Sequence, residues 1–445
     1  MNRRTASHAR KIALQQLIRL EEDDAYVSRL SDDDADAREM RQAKEYVAGI
    51  TRWKRWLDFL LSEFYDGDYA DMELSLRQVL RIGAYDLLFL STPPHAAVNE
   101  AVELAKREVR PGAAGLTNAV IRALLKKKDE LPTQETEHLA EDLAIMHSHP
   151  TWMVRRWLER WGFEETQQLL QWNNERPIYS LRINALRRRQ PSWQEKLRAA
   201  EAEWEEGRYL QDFIRVAQLQ PIIRAGVLDG GALAVQDEAA GLVVRVLDPK
   251  PGETIVDTCA APGGKALYAA ALMQNRGFIF AYDMHRGRLR LVEKAAQQQG
   301  VRIIETEKID ARLLKTTDAK PMADRVLVDA PCSGLGVLSK RADLRWQRDH
   351  DDLSDLIKLQ DELLDAAATM VKPGGVLVYS TCTIEPEENE ERVEAFLQRT
   401  RGFAREPVGD RVQKELQSEE GDLYILPHRH KVDGAYAARL RRGSR

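Results

Sequence analysis

The sequence predicts a multidomain chain built from three successive folds. These are an all-α bundle over residues 1–145, a small α+β unit over 146–235, and an α/β domain with a doubly wound sheet over 236–445. Three observations carry this expectation. Apolar residues recur at three-to-four spacing through the first stretch, the helical period. A short run in the second stretch alternates at the strand period. The third stretch alternates short apolar runs with helical patterns, as parallel sheets with crossover helices do. A chain of 445 residues, 43% apolar and 31% charged, has material for two or three cores.

In the first stretch, Tyr46, Ile50, Trp53, Leu57, Leu60, Leu61 and Phe64 fall on one helix face. Similar faces occur around Ile12–Leu20, Leu74–Leu90, Val98–Ala105 and Leu116–Leu125, punctuated by Pro93-Pro94 and Pro111-Gly112. The spacing then predicts a helix over Trp152–Trp172, a strand at IYSLRIN (178–184), a polar helix holding Trp204, and a strand at DFIRVA (212–217). Beyond 236, TIVDTC (254–259), FIFAYD (278–283), VRIIETE (301–307), RVLVDAP (325–331) and GVLVYST (375–381) read as buried parallel strands. Residues 287–299 and 353–371 read as crossover helices, and GDLYILPH with DGAYAARL as an antiparallel edge hairpin.

The net charge of -5 argues against a uniformly basic nucleic-acid coat. It leaves room for local basic clusters: Lys126-Lys127-Lys128, Arg187-Arg188-Arg189, and Arg439 with Arg441 and Arg442. The start, MNRRTASHARK, lacks the apolar core of a secretory signal, and no apolar run is long enough for a bilayer. A cytoplasmic chain is therefore expected. Cys259, Cys332 and Cys382 are widely separated, with no CxxC and no His-rich tract, so neither a disulfide framework nor a metal site is expected.

In doubly wound sheets, ligands bind outside the carboxyl ends of the strands. All three cysteines follow predicted strands. DTCAAPGGKA (257–266) leaves the first strand and opens a helix, where glycines let a backbone approach a ligand and free N–H groups point at it. Asp283 ends the next strand and can accept from a ribose diol. The pair suggests an adenosine-containing cofactor, with NAD and S-adenosylmethionine both open, although the missing GxGxxG counts against a dinucleotide. A helix N-cap is the competing role for Asp283.

DAPCSGLG (329–336) and STCT (380–383) bring two thiols and a carboxylate to the same edge. C5 of a pyrimidine becomes a carbon nucleophile only after a nucleophile adds at C6, and a thiolate suits that reversible addition. A carboxylic acid at N3 draws charge out of the ring, and a base then removes the C5 proton. Asp329 fits the acid, one cysteine the nucleophile, and the other proton removal and release. Pro386 is placed like a first-turn residue, so a helix N-terminus near Cys382 would favour its thiolate while Glu385, Glu387 and Glu388 oppose that.

DTCAAPGGKA, DAPCSGLGVL and YSTCTIEPEENE resemble, in order and spacing, the signatures of the Fmu/Sun/NOL1/NOP2 family of RNA cytosine-C5 methyltransferases. RIGAYDLLFLSTPPHAAVNEAVELAK and GLTNAVIRALL are similar to the RNA-binding antitermination factor NusB. That combination resembles a subfamily of bacterial 16S rRNA methyltransferases. The resemblance implies a Rossmann-like class I fold, S-adenosylmethionine as cofactor and 16S rRNA as partner. It implies that Cys259, Ala260, Ala261, Pro262, Gly263, Gly264 and Lys265 wrap the cofactor, that Asp283 binds the ribose, and that Asp310 of KIDAR lies near the adenine. Asp329 would face both donor and target base, Cys382 would be the nucleophile, and Cys332 would help release product. LRIN and VQDEAAGLV look like the family's RNA-contacting module, where Arg182, Arg187 and Arg188 are candidate RNA contacts. The sequence departs from the family pattern at Ala266 (usually Thr), Ala342 (Pro), Ala435-Tyr436 (two Phe) and Asp86 (Gln). The Ala435-Tyr436 departure bears on base stacking. Competing readings are action on tRNA or several rRNA sites, a non-catalytic RNA-binding factor, and a nicotinamide-dependent oxidoreductase. A monomer is expected.

Overall fold

The computed structural model describes residues 3–22, 36–187, 193–315 and 322–444. They form two compact units. One comprises the described residues up to Glu175 together with Leu338–Arg348, and the other Arg176–Val337 with the described residues from Asp349 onward.

The first unit is all-α: α1 (Arg3–Glu22), α2 (Ala37–Glu63), α3 (Leu74–Phe89), α4 (Pro94–Leu104), α5 (Ala113–Lys126), α6 (Leu139–Met146) and α7 (Thr151–Asn174). Asp36 starts α2 with a capping box, accepting from the Arg38 and Glu39 N–H groups while the Glu39 carboxylate accepts from its own. The spaced apolar residues of the sequence meet in one core, with Ile12, Tyr46, Ile50, Leu57, Val79, Val98, Val120 and Leu124 buried together. Within it, Asp86 on α3 accepts from Arg10 Nε (2.8 Å) and Nη2 (2.6 Å), Tyr46 Oη (2.8 Å) and Thr92 Oγ1 (2.9 Å). The departure from Gln at this position thus supplies the carboxylate that Arg10 needs.

A later piece of chain completes the unit. In Leu338–Arg348, the short helix α13 (Leu344–Gln347) carries Arg345, which is fully buried. Its guanidinium donates to the Ser148 carbonyl (3.0 Å), the Asn173 carbonyl (3.1 Å) and Asn174 Oδ1 (2.9 Å), while Trp346 Nε1 donates to the Thr51 carbonyl (2.6 Å).

The second unit begins with a four-stranded antiparallel sheet: β1 (Tyr179–Ile183), β2 (Glu205–Glu206), β3 (Phe213–Val216) and β4 (Leu233–Val235), in the order β2-β3-β1-β4. With α8 (Trp193–Ala199) and α9 (Gln220–Arg224) it encloses Leu181, Leu197, Ile214, Ile222 and Leu233. Trp204 is not in a helix as expected. It lies just before β2, edge-on to Trp193 with ring centroids 5.0 Å apart.

After α10 (Glu238–Leu247) come β5 (Thr254–Asp257), α11 (Gly264–Leu272), β6 (Phe278–Asp283), α12 (Arg286–Gln299), β7 (Ile304–Lys308), β8 (Ala323–Asp329), α14 (His350–Met370), β9 (Val371–Thr381), α15 (Glu390–Arg399), β10 (Phe403–Arg405), β11 (Leu423–Ile425), α16 (Pro427–His430) and β12 (Ala435–Arg442). The strand order is β10-β12-β9-β8-β5-β6-β7, with β11 paired to β12. Strands β5 to β9 run parallel, and β10, β11 and β12 join antiparallel, so the sheet is mixed. Successive residues of one strand serve opposite faces. Ile255, Val376 and Val378 pack with α10 and α11, whereas Val256, Leu377 and Tyr379 pack with α14 and α15.

Candidate active site

The parallel strands reverse their order of addition between β5 and β8, which opens a crevice at their carboxyl ends. Four chain segments bring side chains there.

The first leaves β5. Asp257 is buried, and its Oδ1 has no hydrogen-bond partner among the described residues. Burial, with the neighbouring Asp329 charge, pushes its carboxyl up to about 7. The chain then turns through Thr258–Pro262 with a cis Ala261–Pro262 peptide, and is pinned by Ala260 N–H to the Tyr282 carbonyl (2.8 Å). Gly263 caps α11 with φ 105°, where a Cβ would sit 3.1 Å from Val292. Such a turn requires glycine. Ala260, Ala261 and Gly263 put only methyls or hydrogens on the loop, leaving a backbone-lined cradle at the start of α11. Cys259 belongs to this loop. Burial and Asp257 raise its thiol to about 12, so it stays neutral.

The second segment ends β6. Asp283 is 4% exposed, and its Oδ1 accepts from the His285 N–H (2.9 Å) just ahead of α12. Arg288 of α12 lies 3.5 Å from Asp283 Oδ2 and donates to the Ala261 carbonyl (2.5 Å), tying the two segments together. The third follows β7, where the Ile309 N–H donates to the Asp283 carbonyl (3.2 Å). Asp310 caps the next turn and is ion-paired with Arg312 (2.6 Å), whose hydrogen bond lowers its carboxyl pKa.

The fourth part joins the ends of β8 and β9, where Asp329 pairs in register with Ser380. Asp329 Oδ1 accepts from Ser380 Oγ (3.0 Å), and Oδ2 from Lys265 Nζ (2.6 Å). Lys265 thus turns its ammonium from the loop to Asp329. Burial opposes its charge, but Asp329 outweighs burial and raises its pKa, with Cys382 also within electrostatic reach. Cys332 Sγ and Cys382 Sγ are 3.4 Å apart, and the Cys382 N–H points at Cys332 Sγ (3.3 Å). The hydrogen bond to Cys382, then burial, raise the Cys332 thiol well above its usual range. Both cysteines and Asp329 are partly exposed, and Pro262 and Pro331 beside them are open to solvent.

All of the residues singled out from the motifs therefore lie at one sheet edge. Sequence reasoning missed Ser380 and Arg288, and it read Lys265 only as part of the loop. The strand register would have found Ser380. The helix signalled by Pro386 is only a 3-10 turn, Pro386–Glu388, before α15.

The RNA-contact candidates fare differently. Arg182 is 1% exposed, sits 5.0 Å over the Tyr268 ring, and donates to Gln236 Oε1 and Gln299 Oε1, each at 2.7 Å. Burial lowers its pKa to about 10, so it is a core cation and not a surface for RNA. Arg187 donates to the Gln298 carbonyl (3.0 Å) at the end of α12, and Arg188 lies outside the described residues. Tyr436, at the Ala435-Tyr436 departure, is 1% exposed and donates to Asp422 Oδ2 (2.5 Å), so its ring offers no face for a base to stack on. Among the described residues, no cluster of His, Cys, Asp or Glu could hold a metal ion, and no helix is long and apolar enough to cross a membrane.

A mixed sheet of this order with its strand-end crevice defines a Rossmann-like fold, and its similarity to known proteins places it among the methyltransferases. The crystal structure of a methyltransferase homolog protein from Pyrococcus horikoshii, 26% identical, matches 68% of this chain and 99% of its own with a TM-score of 0.57. That of PH0851, 27% identical, matches 98% of both chains with a TM-score of 0.79. Family models match 16S rRNA methyltransferase RsmB/F over residues 244–441, NusB over 7–126, and an RsmF/B-like ferredoxin-like domain over 149–223. A probable ribosomal RNA small subunit methyltransferase B from Bacillus subtilis is 34% identical over 97% of this chain and 98% of its own. The Klebsiella pneumoniae ribosomal RNA small subunit methyltransferase B is 32% identical over 89% of each. The chain belongs to the ribosomal RNA small subunit methyltransferase B family.

Proposed function

We propose that this protein methylates C5 of a cytosine in 16S rRNA, using S-adenosylmethionine and a transient bond between Cys382 and C6 of the base. The observation that carries this reading is the 3.4 Å approach of Cys382 Sγ to Cys332 Sγ, beside an Asp329 held by Ser380 and Lys265.

The cradle fits the cofactor. A loop without bulky side chains, a buried Asp257 oxygen lacking a partner and a strand-end Asp283 suit a backbone-held nucleoside with a charged amino-acid end. Residues 259–265 would hold it, with Asp283 at the ribose and Asp310 toward the adenine. When bound, it supplies an electrophilic methyl group.

The protein's own groups prepare the base. Cys382 gives its thiol proton to the Asp329 carboxylate and adds to C6 as a thiolate, and the Asp329 carboxyl passes that proton to N3, taking up the charge that addition puts on the ring. Lys265 puts positive charge next to both. The C5 proton then passes to water, the C6–S bond breaks, and the N3 proton returns through Asp329 to the Cys382 sulfur; Cys332, kept protonated by its surroundings and so a donor to that departing sulfur and not the base, faces it. A target base within a helix would have to be flipped out, at about a few kcal/mol.

Bisulfite sequencing of rRNA from wild-type and deletion strains tests the reading. One protected cytosine in 16S rRNA should become reactive on deletion. An unchanged map, or purified enzyme that methylates tRNA and not 16S rRNA, would refute it.

A further inference from the structure

The two thiol loops come from different strands, yet their sulfurs meet. A single dipeptide, Glu388-Asn389, fastens both. Glu388 is fully buried, and its Oε1 accepts from the Ser333 N–H (2.8 Å) and Gln360 Nε2 (2.9 Å), while Oε2 accepts from Ser333 Oγ. Gln360 Nε2 also donates to the Pro331 carbonyl (2.9 Å). The residues on either side of Cys332 are thereby held by one carboxylate and its amide partner. Ser333 Oγ in turn meets Thr383 Oγ1 (2.7 Å), next to Cys382. Asn389 completes the second loop, accepting from Thr381 Oγ1 (2.5 Å) and donating to the Thr383 carbonyl (3.2 Å). The Glu388 carbonyl is itself fixed by Tyr379 Oη (2.6 Å).

A buried carboxylate is costly unless its oxygens are satisfied, and here all the satisfying donors belong to the thiol loops or brace them. We propose that Glu388 is a positioning residue for methyl transfer, acting through Ser333 and Gln360 to hold the Cys332 loop in register with Cys382. This rests on the reading of the two thiols given above. It adds a residue that never touches substrate but sets where the releasing thiol stands. A misplacement of 1 Å costs about 10²-fold in rate.

The test uses the full-length chain with Glu388→Ala, Ser333→Ala and Glu388→Gln. Gln keeps one carbonyl oxygen for the Ser333 N–H and Gln360, and turns its amide toward Ser333 Oγ, which can then donate to Thr383. Two readouts are needed. The first is the rate at which diamide, an azo oxidant, takes two electrons and two protons from Cys332 and Cys382 to form a disulfide, followed by peptide mass mapping. It reports thiol proximity without any RNA. The second is kcat and KM for methyl transfer to 16S rRNA. Glu388→Ala and Ser333→Ala should slow disulfide formation and lower kcat by about 10-fold to 10²-fold while KM stays near wild type, and Glu388→Gln should recover most of both. If folded Glu388→Ala and Ser333→Ala form the disulfide and turn over at wild-type rates, or Glu388→Gln is as impaired as Glu388→Ala, the proposal fails. If Glu388→Ala does not fold, Ser333→Ala decides alone. Should 16S rRNA prove not to be the substrate, the disulfide rates still judge Glu388, so the two failures are distinguishable.

Discussion

Lys265 and Asp329 form an ion pair of 2.6 Å that links the first turn of α11 to the end of β8. The start of α11 and the end of β8 therefore share one charged contact. Lys265→Met should leave S-adenosylhomocysteine binding within about tenfold of wild type but lower kcat by about 10²-fold or more, the scale of losing one preorganised charge at a reacting centre. Isothermal titration and single-turnover assays measure the two quantities. A variant that loses affinity alone would assign Lys265 to cofactor binding only.

Cys382 and Cys332 should separate under substitution. Cys382→Ser should abolish methyl transfer and form no RNA adduct. Cys332→Ala should retain addition but release slowly, leaving a covalent protein–RNA species on a denaturing gel. Full turnover by Cys382→Ser, or absence of the adduct with Cys332→Ala, would contradict the assigned roles.

Asp257 makes stability depend on pH. Its folded-state carboxyl sits at about 7, above the reference value of 3.8, because burial and Asp329 disfavour its charge. Its contribution is thus fully present below about 3.8 and is lost as pH rises through about 7. The melting temperature of Asp257→Asn relative to wild type should climb over this window and level off above it. A constant difference would show that Asp257 does not titrate there.

Asp86 is the acceptor at the centre of the helical core. Asp86→Ala leaves Arg10, 3% exposed, with Glu100 at 3.2 Å as its one acidic partner among the described residues. Breaking a buried pair in this way costs about 3–5 kcal/mol. Urea unfolding of the intact chain should show that loss in its helical transition, and Asp86→Asn should lose less.

Strands β5, β6, β8 and β9 were legible because burial leaves short apolar runs, whereas β7, expected to be buried, is the edge strand of the sheet, with Glu305, Glu307 and Lys308 exposed. FIFAYD is β6 to the residue, and the helix read at 287–299 starts one residue earlier in α12. That the three motifs meet at one crevice was legible because strand ends and glycine turns mark it. Arg182 was not. It alternates with Leu181 along β1, so its face reads as solvent, but α11 supplies Tyr268 to cover that face. Nor does any local signal say that Arg345, in the middle of the catalytic motifs, is buried among carbonyls of the helical unit. Partners distant in sequence decide both.

The register of β12 on β9 sets Tyr436 opposite Thr381, and Gly434 N–H donates to the Gly336 carbonyl (2.8 Å). The wall behind Cys382 is thus made of residues translated late among those described. Strand β12 lies between β9 and β10, so the backing of the Cys332–Cys382 pair is complete only once residues 435–442 have joined the sheet.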